Sequence, residues 1–370
     1  MAPEVVDDRI AALQPKSIVL DPMMGSGTFP VTAAALGHTA YGCDSDPLAI
    51  VIARTAAGGF DRDGLVAAGA EVLERARHHS DVEANVDDET QKFIDRWFDR
   101  EAQRKLAGLA AEIEGAPTSL HAPLWCAFSR LIITKDNGVS LARDVSHSRP
   151  HRVRDTATVD AFSQFPSAVS AVARRASEGP LRGMFIPLRA DARSLPLADK
   201  SVDAVTTSPP YLVAIDYLRG HRLSLVWMGY SVSELRGLRR SNIGAEAGVD
   251  SCHDLAAIVT SSVGGHLPRR SERILNRYAI DLDAAIAEIA RVLTHDGSAS
   301  FVIADARLSG VEVSIERLLD GLAMRRQLRR AERQVRAIPA QSRYLPPPES
   351  GTSALALRMR EELIVTYQHS

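Results

Sequence analysis

The tetrapeptide Ser208-Pro209-Pro210-Tyr211 places a hydroxyl, two prolines and an aromatic ring after an apolar run, Val202 to Thr207. That run reads as a buried strand. Two consecutive prolines cannot extend a ladder, because neither carries an N–H. They set an extended loop whose carbonyls point outward in defined directions. Ser208 and the Pro209 carbonyl then offer acceptors to an amino group, and Tyr211 offers a flat face to a planar ring. Such a set can hold the exocyclic amine of a nucleobase, or a similar planar amide, still for alkylation. The amine is a weak nucleophile, because its lone pair is delocalised into the ring. Acceptors on its two N–H groups draw the nitrogen toward sp³ geometry and stabilise charge as the alkyl group arrives. Placement should matter more than strong basicity. The plain structural role open to Tyr211 is a core ring capping a strand.

A second set lies far upstream. Ser17 to Leu20 reads as a strand and Phe29 to Leu36 as a helix, joined by Asp21-Pro22-Met23-Met24-Gly25-Ser26-Gly27-Thr28. Strand, glycine turn and helix form the nucleotide-binding half of a doubly wound sheet. Gly25 and Gly27 let the backbone turn tightly and approach a ligand. The next strand, Thr39 to Cys43, ends at Asp44, and Asp46-Pro47 opens a helix, Leu48 to Ala57. An acid about 20 residues after a glycine turn is placed to accept from ribose hydroxyls. A helix cap is the alternative role for Asp21, and an ordinary strand-end acid that for Asp44.

Together these residues resemble the S-adenosylmethionine-dependent DNA amino-methyltransferases. Asp21 to Thr28 looks like that family's cofactor loop, usually D-P-F-x-G-S-G-T, with Met23 in the aromatic position. Ser208-Pro209-Pro210-Tyr211 looks like its catalytic motif, in the S-P-P-Y form typical of N4-cytosine enzymes; N6-adenine enzymes typically carry D-P-P-Y. The resemblance implies an α/β fold with a doubly wound, Rossmann-like class I methyltransferase sheet. It implies S-adenosylmethionine as cofactor and a flipped base in duplex DNA as substrate, cytosine N4 ahead of adenine N6. Catalysis would fall to Ser208, Pro209, Pro210 and Tyr211. Cofactor binding would fall to Asp21, Pro22, Met23, Gly25, Ser26, Gly27, Thr28 and Asp44, with Asp21 facing the cationic methionine end. Asp191, at the end of the strand Gly183 to Asp191, resembles the position that binds the adenine amino group; strand-end acids are also common for no such reason. The setting implied is bacterial restriction-modification or phage defence.

The elements between the motifs divide the chain. Residues 1–79 carry the first strands, with a helix from Ala67 to Arg77. Residues 80–180 read as a mainly helical insertion, and 181–370 as the remainder of the catalytic unit. Within the insertion, Trp97, Phe98, Leu106, Leu109 and Ile113 lie close to a helical period. Arg143 to Arg154 is dense in Arg and His. Arg143, His147, Arg149 and Arg152 suit phosphate or base contact; a solvated charged loop is the alternative. Asp216 and Tyr217 could line the target pocket, and Arg219 and Arg222 could meet phosphate, on a helix running to Met228. A polar excursion follows from Ser231 to Arg277, whose arginines extend a basic rim. Then come a helix from Ala284 to Leu293, a turn at Asp296-Gly297, a fifth strand from Ser298 to Ile303 and a helix from Ile315 to Ala323. Val335 to Ile338 and Glu362 to Tyr367 read as closing antiparallel strands around a loop at Pro346 to Gly351. The cofactor loop precedes the catalytic loop, whereas many S-P-P-Y enzymes have the reverse order. Met1 to Pro15 shows no F-x-P-like segment, so another segment, a partner subunit or a homodimer would supply the cofactor's far wall.

Composition narrows the alternatives. A net charge of −2 is no field for coating nucleic acid non-specifically, though it allows a local basic cleft. Cys43, Cys126 and Cys252 have no metal or disulfide spacing, and the His-rich stretch has no zinc spacing, so no metal is expected. A reducing cytoplasm fits, and neither a signal peptide nor a membrane-length apolar run is evident. No cysteine follows a proline, which argues against C5-cytosine methylation. The loop lacks G-x-G-x-x-G, which argues against a dinucleotide dehydrogenase. An RNA N-methyltransferase stays open, although no RNA-binding domain is visible. A catalytically idle subunit of the same fold also stays open; the intact Gly25, Gly27, Asp44 and Ser208 speak against it.

Overall fold

The computed structural model describes residues 3–78, 86–175, 181–212, 216–244, 253–338 and 361–370. Cys252 and the Pro346 to Gly351 loop lie outside the described residues. Among those described, seven strands form one sheet: β1 (Ile18–Asp21), β2 (Thr39–Asp44), β3 (Met184–Arg189), β4 (Val202–Thr207), β5 (Leu293–Ile303), β6 (Leu328–Ala337) and β7 (Glu361–His369). Their order is β6-β7-β5-β4-β1-β2-β3. Strands β3, β2, β1, β4 and β5 pair parallel, and β7 runs antiparallel between β5 and β6. This is the doubly wound, Rossmann-like sheet of class I methyltransferases, closed at one edge by a long hairpin.

The helices are α1 (Pro3–Ala11), α2 (Thr28–Ala35), α3 (Pro47–Ala57), α4 (Arg62–His78), α5 (Asp88–Trp97), α6 (Arg100–Glu114), α7 (Thr118–Ile132), α8 (Ala161–Arg175), α9 (Tyr217–Leu225), α10 (Val232–Ser241), α11 (Ala256–Ser261), α12 (Arg269–Val292) and α13 (Ile315–Arg325). Strand alternation sorts the sheet's two faces. Val19, Ala40 and Ala204 pack with Val6, Ile10 and Phe29 of α1 and α2. Their neighbours Leu20 and Val205 face the other way, onto Leu282, Ile286 and Leu319 of α12 and α13. A third core joins α4 to α8 with α9 and α10, around Leu106, Phe128, Phe165 and Leu223. The parallel neighbours β2 and β3 are therefore linked by a crossover whose described residues hold the helices α3 to α8.

Two segments differ from the sequence expectation. The excursion expected over Ser231 to Arg277 contains α10, α11 and the first turns of α12. Helix α12 starts at Arg269, well before Ala284, because Leu275, Tyr278, Ala279 and Leu282 continue its buried face under a coat of arginines. The expected turn at Asp296-Gly297 lies within β5 as an irregularity: pairing jumps from Val202↔Leu293 to Ala204↔Ser298. A Cβ on Gly297 would stand 2.9 Å from Asp203 O, so the close approach requires glycine.

Candidate active site

Both motifs sit at the carboxyl ends of adjacent parallel strands. In a doubly wound sheet, ligands bind where consecutive crossovers leave in opposite directions. That point lies between β1 and β4, since β1 leads to β2 on one side and β3 returns to β4 on the other. Thr207, the last residue of β4, donates its hydroxyl to Asp21 Oδ1 at 2.7 Å, so the two loops are tied directly.

Asp21 ends β1 and is buried. Its Oδ1 also accepts from Met23 N–H at 3.1 Å. Burial pushes its carboxyl up to about 7, against the opposing pull of the Thr207 and Met23 hydrogen bonds. Pro22 is buried and Met23 half-buried, while Met24 plugs the space over β2 beside Ile50, Ala53 and Phe185. A Cβ on Gly42 would stand 2.3 Å from the Met24 sulfur, which explains glycine in the middle of β2. Gly27 has φ +79, and a Cβ there would lie 2.8 Å from Ala53 Cβ, so the turn and its packing on α3 both demand glycine. Ser26 is exposed, with its hydroxyl 3.3 Å from that of Thr28, the first residue of α2.

Asp44 closes β2 and folds back over the turn. It accepts from Gly25 N–H and Asp46 N–H, both at 2.9 Å. Burial, with the neighbouring Asp46 charge, raises its carboxyl to about 6. Asp46 caps α3 through Leu48 N–H at 2.9 Å, and its other oxygen meets His221 Nδ1 at 2.5 Å. His221 belongs to α9, the helix that follows the Pro-Pro loop. Burial lowers its imidazole and Asp46 raises it further, leaving it above the ordinary value. Sequence reading missed both Asp46 and His221 as a pair. The only signal was a histidine one turn past Tyr217, which does not name its partner.

Asp191 lies beyond β3 as expected, but its carboxylate is held by Arg193 through contacts of 2.7 to 3.2 Å. Arg193 reaches on to Asp281 of α12 at 2.5 Å. Ser208 donates its hydroxyl to Val302 O of β5 at 3.2 Å. Pro209 is buried and Pro210 exposed. The Tyr211 hydroxyl points to Glu362 Oε1 of β7 at 3.3 Å, and burial together with that carboxylate drives the phenol well above its usual range. Glu362 is itself held by Arg336 of β6 at 2.9 Å. The closing hairpin thus supplies a carboxylate behind the Pro-Pro loop that sequence reading did not single out. Cys43 sits beneath the turn, and burial pushes its thiol up to about 12, out of reach of nucleophilic chemistry near neutrality.

The basic stretch forms a two-stranded ribbon, Ala142-Arg143 against His151-Arg152. Arg143 pairs with Asp136 at 2.5 Å and Arg152 with Asp155 at 2.9 Å. His147 Nδ1 lies 3.3 Å from Asp144, and Arg149 is exposed. The ribbon's inner turn abuts α9: a Cβ on Gly220 would be 2.5 Å from Val145 O. The fold therefore brings Arg143 to Arg152 and Asp216 to Arg222 side by side. Asp216 caps α9 through Arg219 N–H at 3.3 Å and pairs with Arg239 of α10. Tyr217 is exposed, and Arg222 lies over the Phe93 ring at 5.1 Å. Among the described residues, no cluster of His, Cys, Asp and Glu could hold a metal ion, and no helix is long and apolar enough to cross a membrane.

No family model matches the chain, and no curated protein matches it in sequence. Solved structures similar to it include a TehB-like SAM-dependent methyltransferase from Corynebacterium glutamicum, at 11% identity and TM-score 0.32, covering 100% of this chain and 87% of that one. A SAM-dependent methyltransferase from Methanosarcina mazei aligns at 10% identity and TM-score 0.36, covering 100% and 98%. M. jannaschii TYW2 in complex with AdoMet aligns at 10% identity and TM-score 0.32, covering 100% and 78%. These superpositions are loose, so the fold assignment stands on the strand order and directions given above.

Proposed function

We propose that the protein is an S-adenosylmethionine-dependent methyltransferase acting on an exocyclic amino nitrogen in DNA, cytosine N4 ahead of adenine N6. The observation that carries this reading is the Thr207–Asp21 hydrogen bond at the switch point, which locks the Pro-Pro loop beside the glycine turn. Gly25, Gly27 and Asp44 would hold the nucleoside part of the cofactor, and Asp21 its cationic end. The cofactor, when bound, supplies an already activated sulfonium methyl. Ser208 and the Pro209 carbonyl accept from the amine's N–H groups and hold the nitrogen in line. Tyr211 presents its ring to the base while Glu362 fixes its hydroxyl. The base leaves its duplex to reach this loop, at an unstacking cost of a few kcal/mol. Residues 80–180, with α9 and α10, make the wall that meets the nucleic acid, and a restriction or phage-defence setting fits such an enzyme. A partner subunit or a second copy would complete the cofactor's far wall.

The test is mass spectrometry of nucleosides from the DNA of an expressing host, alongside incubation with labelled cofactor and purified DNA or RNA. N4-methylcytosine in DNA is the expected product. Label in RNA alone would move the reading to an RNA N-methyltransferase. Cofactor binding without transfer to either would indicate an idle subunit.

A further inference from the structure

Three helices meet where α9 follows the Pro-Pro loop in the chain, and each brings arginine to the meeting point. Helix α5 carries Arg96, α9 carries Arg219 and Arg222 one turn apart, and α10 carries Arg239. The helices are bound to one another: Val232 N–H of α10 donates to Thr90 Oγ1 of α5 at 2.9 Å, Arg236 of α10 pairs with Glu89 of α5, and Arg239 pairs with Asp216 at the cap of α9. Arg222 lies across Phe93 of α5 at 5.1 Å, which fixes its guanidinium between the helices. Among the described residues, its buried Nε finds no hydrogen-bond partner. Neither Arg96 nor Arg219 is ion-paired there, and both are exposed. The charges are close enough to act on one another: burial first, then Arg239, Arg219 and Arg96, lower the Arg222 guanidinium below its ordinary value, opposed by Asp216.

Arg239 already has the Asp216 carboxylate, which leaves Arg96, Arg219 and Arg222 without an ion pair among the described residues, a grouping that suits an outside anion. The nearby ribbon is different, because Arg143 and Arg152 already have Asp136 and Asp155. Tyr217 adds a second feature: it stands 53% exposed on α9 between Asp216 and Arg219. Guanidinium groups flanking an exposed ring suit a phosphodiester strand, whose phosphates and bases alternate. A free inorganic phosphate would have no use for the ring.

We propose that Arg96, Arg219, Arg222 and Arg239 form the phosphate track of the nucleic-acid substrate, with Tyr217 stacking on a base beside the one that is modified. The proposal rests on the nucleic-acid reading above. It moves the main electrostatic contact from the His- and Arg-rich ribbon to the junction of α5, α9 and α10.

The experiment measures binding of fluorescein-labelled single-stranded and duplex deoxyoligonucleotides by anisotropy over a salt series. The full chain is compared with Arg96→Gln/Arg219→Gln, with Arg143→Gln/Arg152→Gln and with Asp216→Asn. Loss of two phosphate contacts should weaken binding about tenfold at moderate salt and make the log–log salt slope shallower by about two. The ribbon double variant should change both far less. Asp216→Asn keeps a side chain that caps α9 and removes the opposing charge, so it should tighten binding by roughly threefold. Calorimetry with S-adenosylmethionine checks that each variant retains its fold. If the wild type binds DNA and Arg96→Gln/Arg219→Gln binds with unchanged affinity and slope, the track is wrong while the nucleic-acid reading stands. Failure of the wild type to bind any oligonucleotide, with cofactor binding intact, overturns both. Binding of inorganic phosphate in competition with the oligonucleotide at equal concentration would overturn the strand assignment.

Discussion

At the scale of single residues, the Pro-Pro loop separates two kinds of proposed contribution. If Ser208 accepts from the substrate amine as proposed, Ser208→Ala should lower the single-turnover methylation rate by about 10²-fold and leave cofactor affinity intact. The proposed role of Tyr211 is to offer its ring to the base, while its hydroxyl meets Glu362. Tyr211→Phe should keep most of the activity and lose about 1 kcal/mol of stability in a denaturant titration. Tyr211→Ala should lose the stacking face as well, worth roughly 1–3 kcal/mol. Full activity in Ser208→Ala and Tyr211→Ala would show that methyl transfer happens elsewhere. Asp21 makes a pH prediction. Its folded value of about 7 lies above the ordinary carboxylate value. Between the two, the folded state binds more protons than the unfolded one, so this group's contribution to stability falls as pH rises through that window. A cation brought beside Asp21 favours the carboxylate. Cofactor binding near pH 7 should therefore release a proton, and affinity should rise as pH climbs through 7. Calorimetry in buffers of different ionisation enthalpy reads the proton directly, and Asp21→Asn should abolish it. A wild type that binds cofactor with no proton release would remove Asp21 from the cationic end of the site.

At the scale of elements, the link between α3 and α9 is a histidine–carboxylate pair rather than apolar packing alone. Asp46 both caps α3 and meets His221, and Asp44 and Asp216 also face that imidazole. An imidazole raised in the folded state contributes stability that is full below about pH 6.5 and is lost as pH rises through the raised value. His221→Asn should accordingly lower the melting temperature most at acid pH, and the gap to the wild type should narrow as pH rises. A gap that is constant with pH would mean that the imidazole is neutral at the pair. Cofactor affinity should also drop modestly in this variant, because Asp46 N–H is one of the two donors that orient Asp44.

At the scale of the molecule, the helical core and the sheet are built around separate apolar clusters that share the site as their seam. Phe165 of α8 is completely buried in the helical cluster, far along the chain from either motif. Phe165→Ala should cost about 3–5 kcal/mol in denaturant unfolding. Measured under conditions where the variant stays folded, its affinity for S-adenosylmethionine should be unchanged, since the glycine turn packs on α3, β2 and β3 instead. A large loss of cofactor affinity would mean that the helical core braces the turn after all.

The sequence by itself determined the parallel strands, the glycine turn and the Pro-Pro loop. Those signals are local: short apolar runs that read as buried strands, a glycine that no other residue can replace at Gly27, and prolines that cannot pair at 209 and 210. It also marked Asp44 and Asp191 as strand-end acids, but their partners lay out of view. Tertiary structure alone decided that Asp191 belongs to Arg193, that Asp46 belongs to His221 175 residues away, and that Tyr211 is held by Glu362 151 residues away. Helix α12 shows the same limit at element scale. Its arginine-rich start looks polar until α13 and the sheet supply the surface that buries Leu275, Tyr278 and Leu282. The arginines divide for a related reason. Charge density along the chain pointed to residues 143–152, where Arg143 and Arg152 meet Asp136 and Asp155, whereas Arg96, Arg219 and Arg222 have no ion pair among the described residues. That is a property of how α5, α9 and α10 converge, and no linear pattern encodes it.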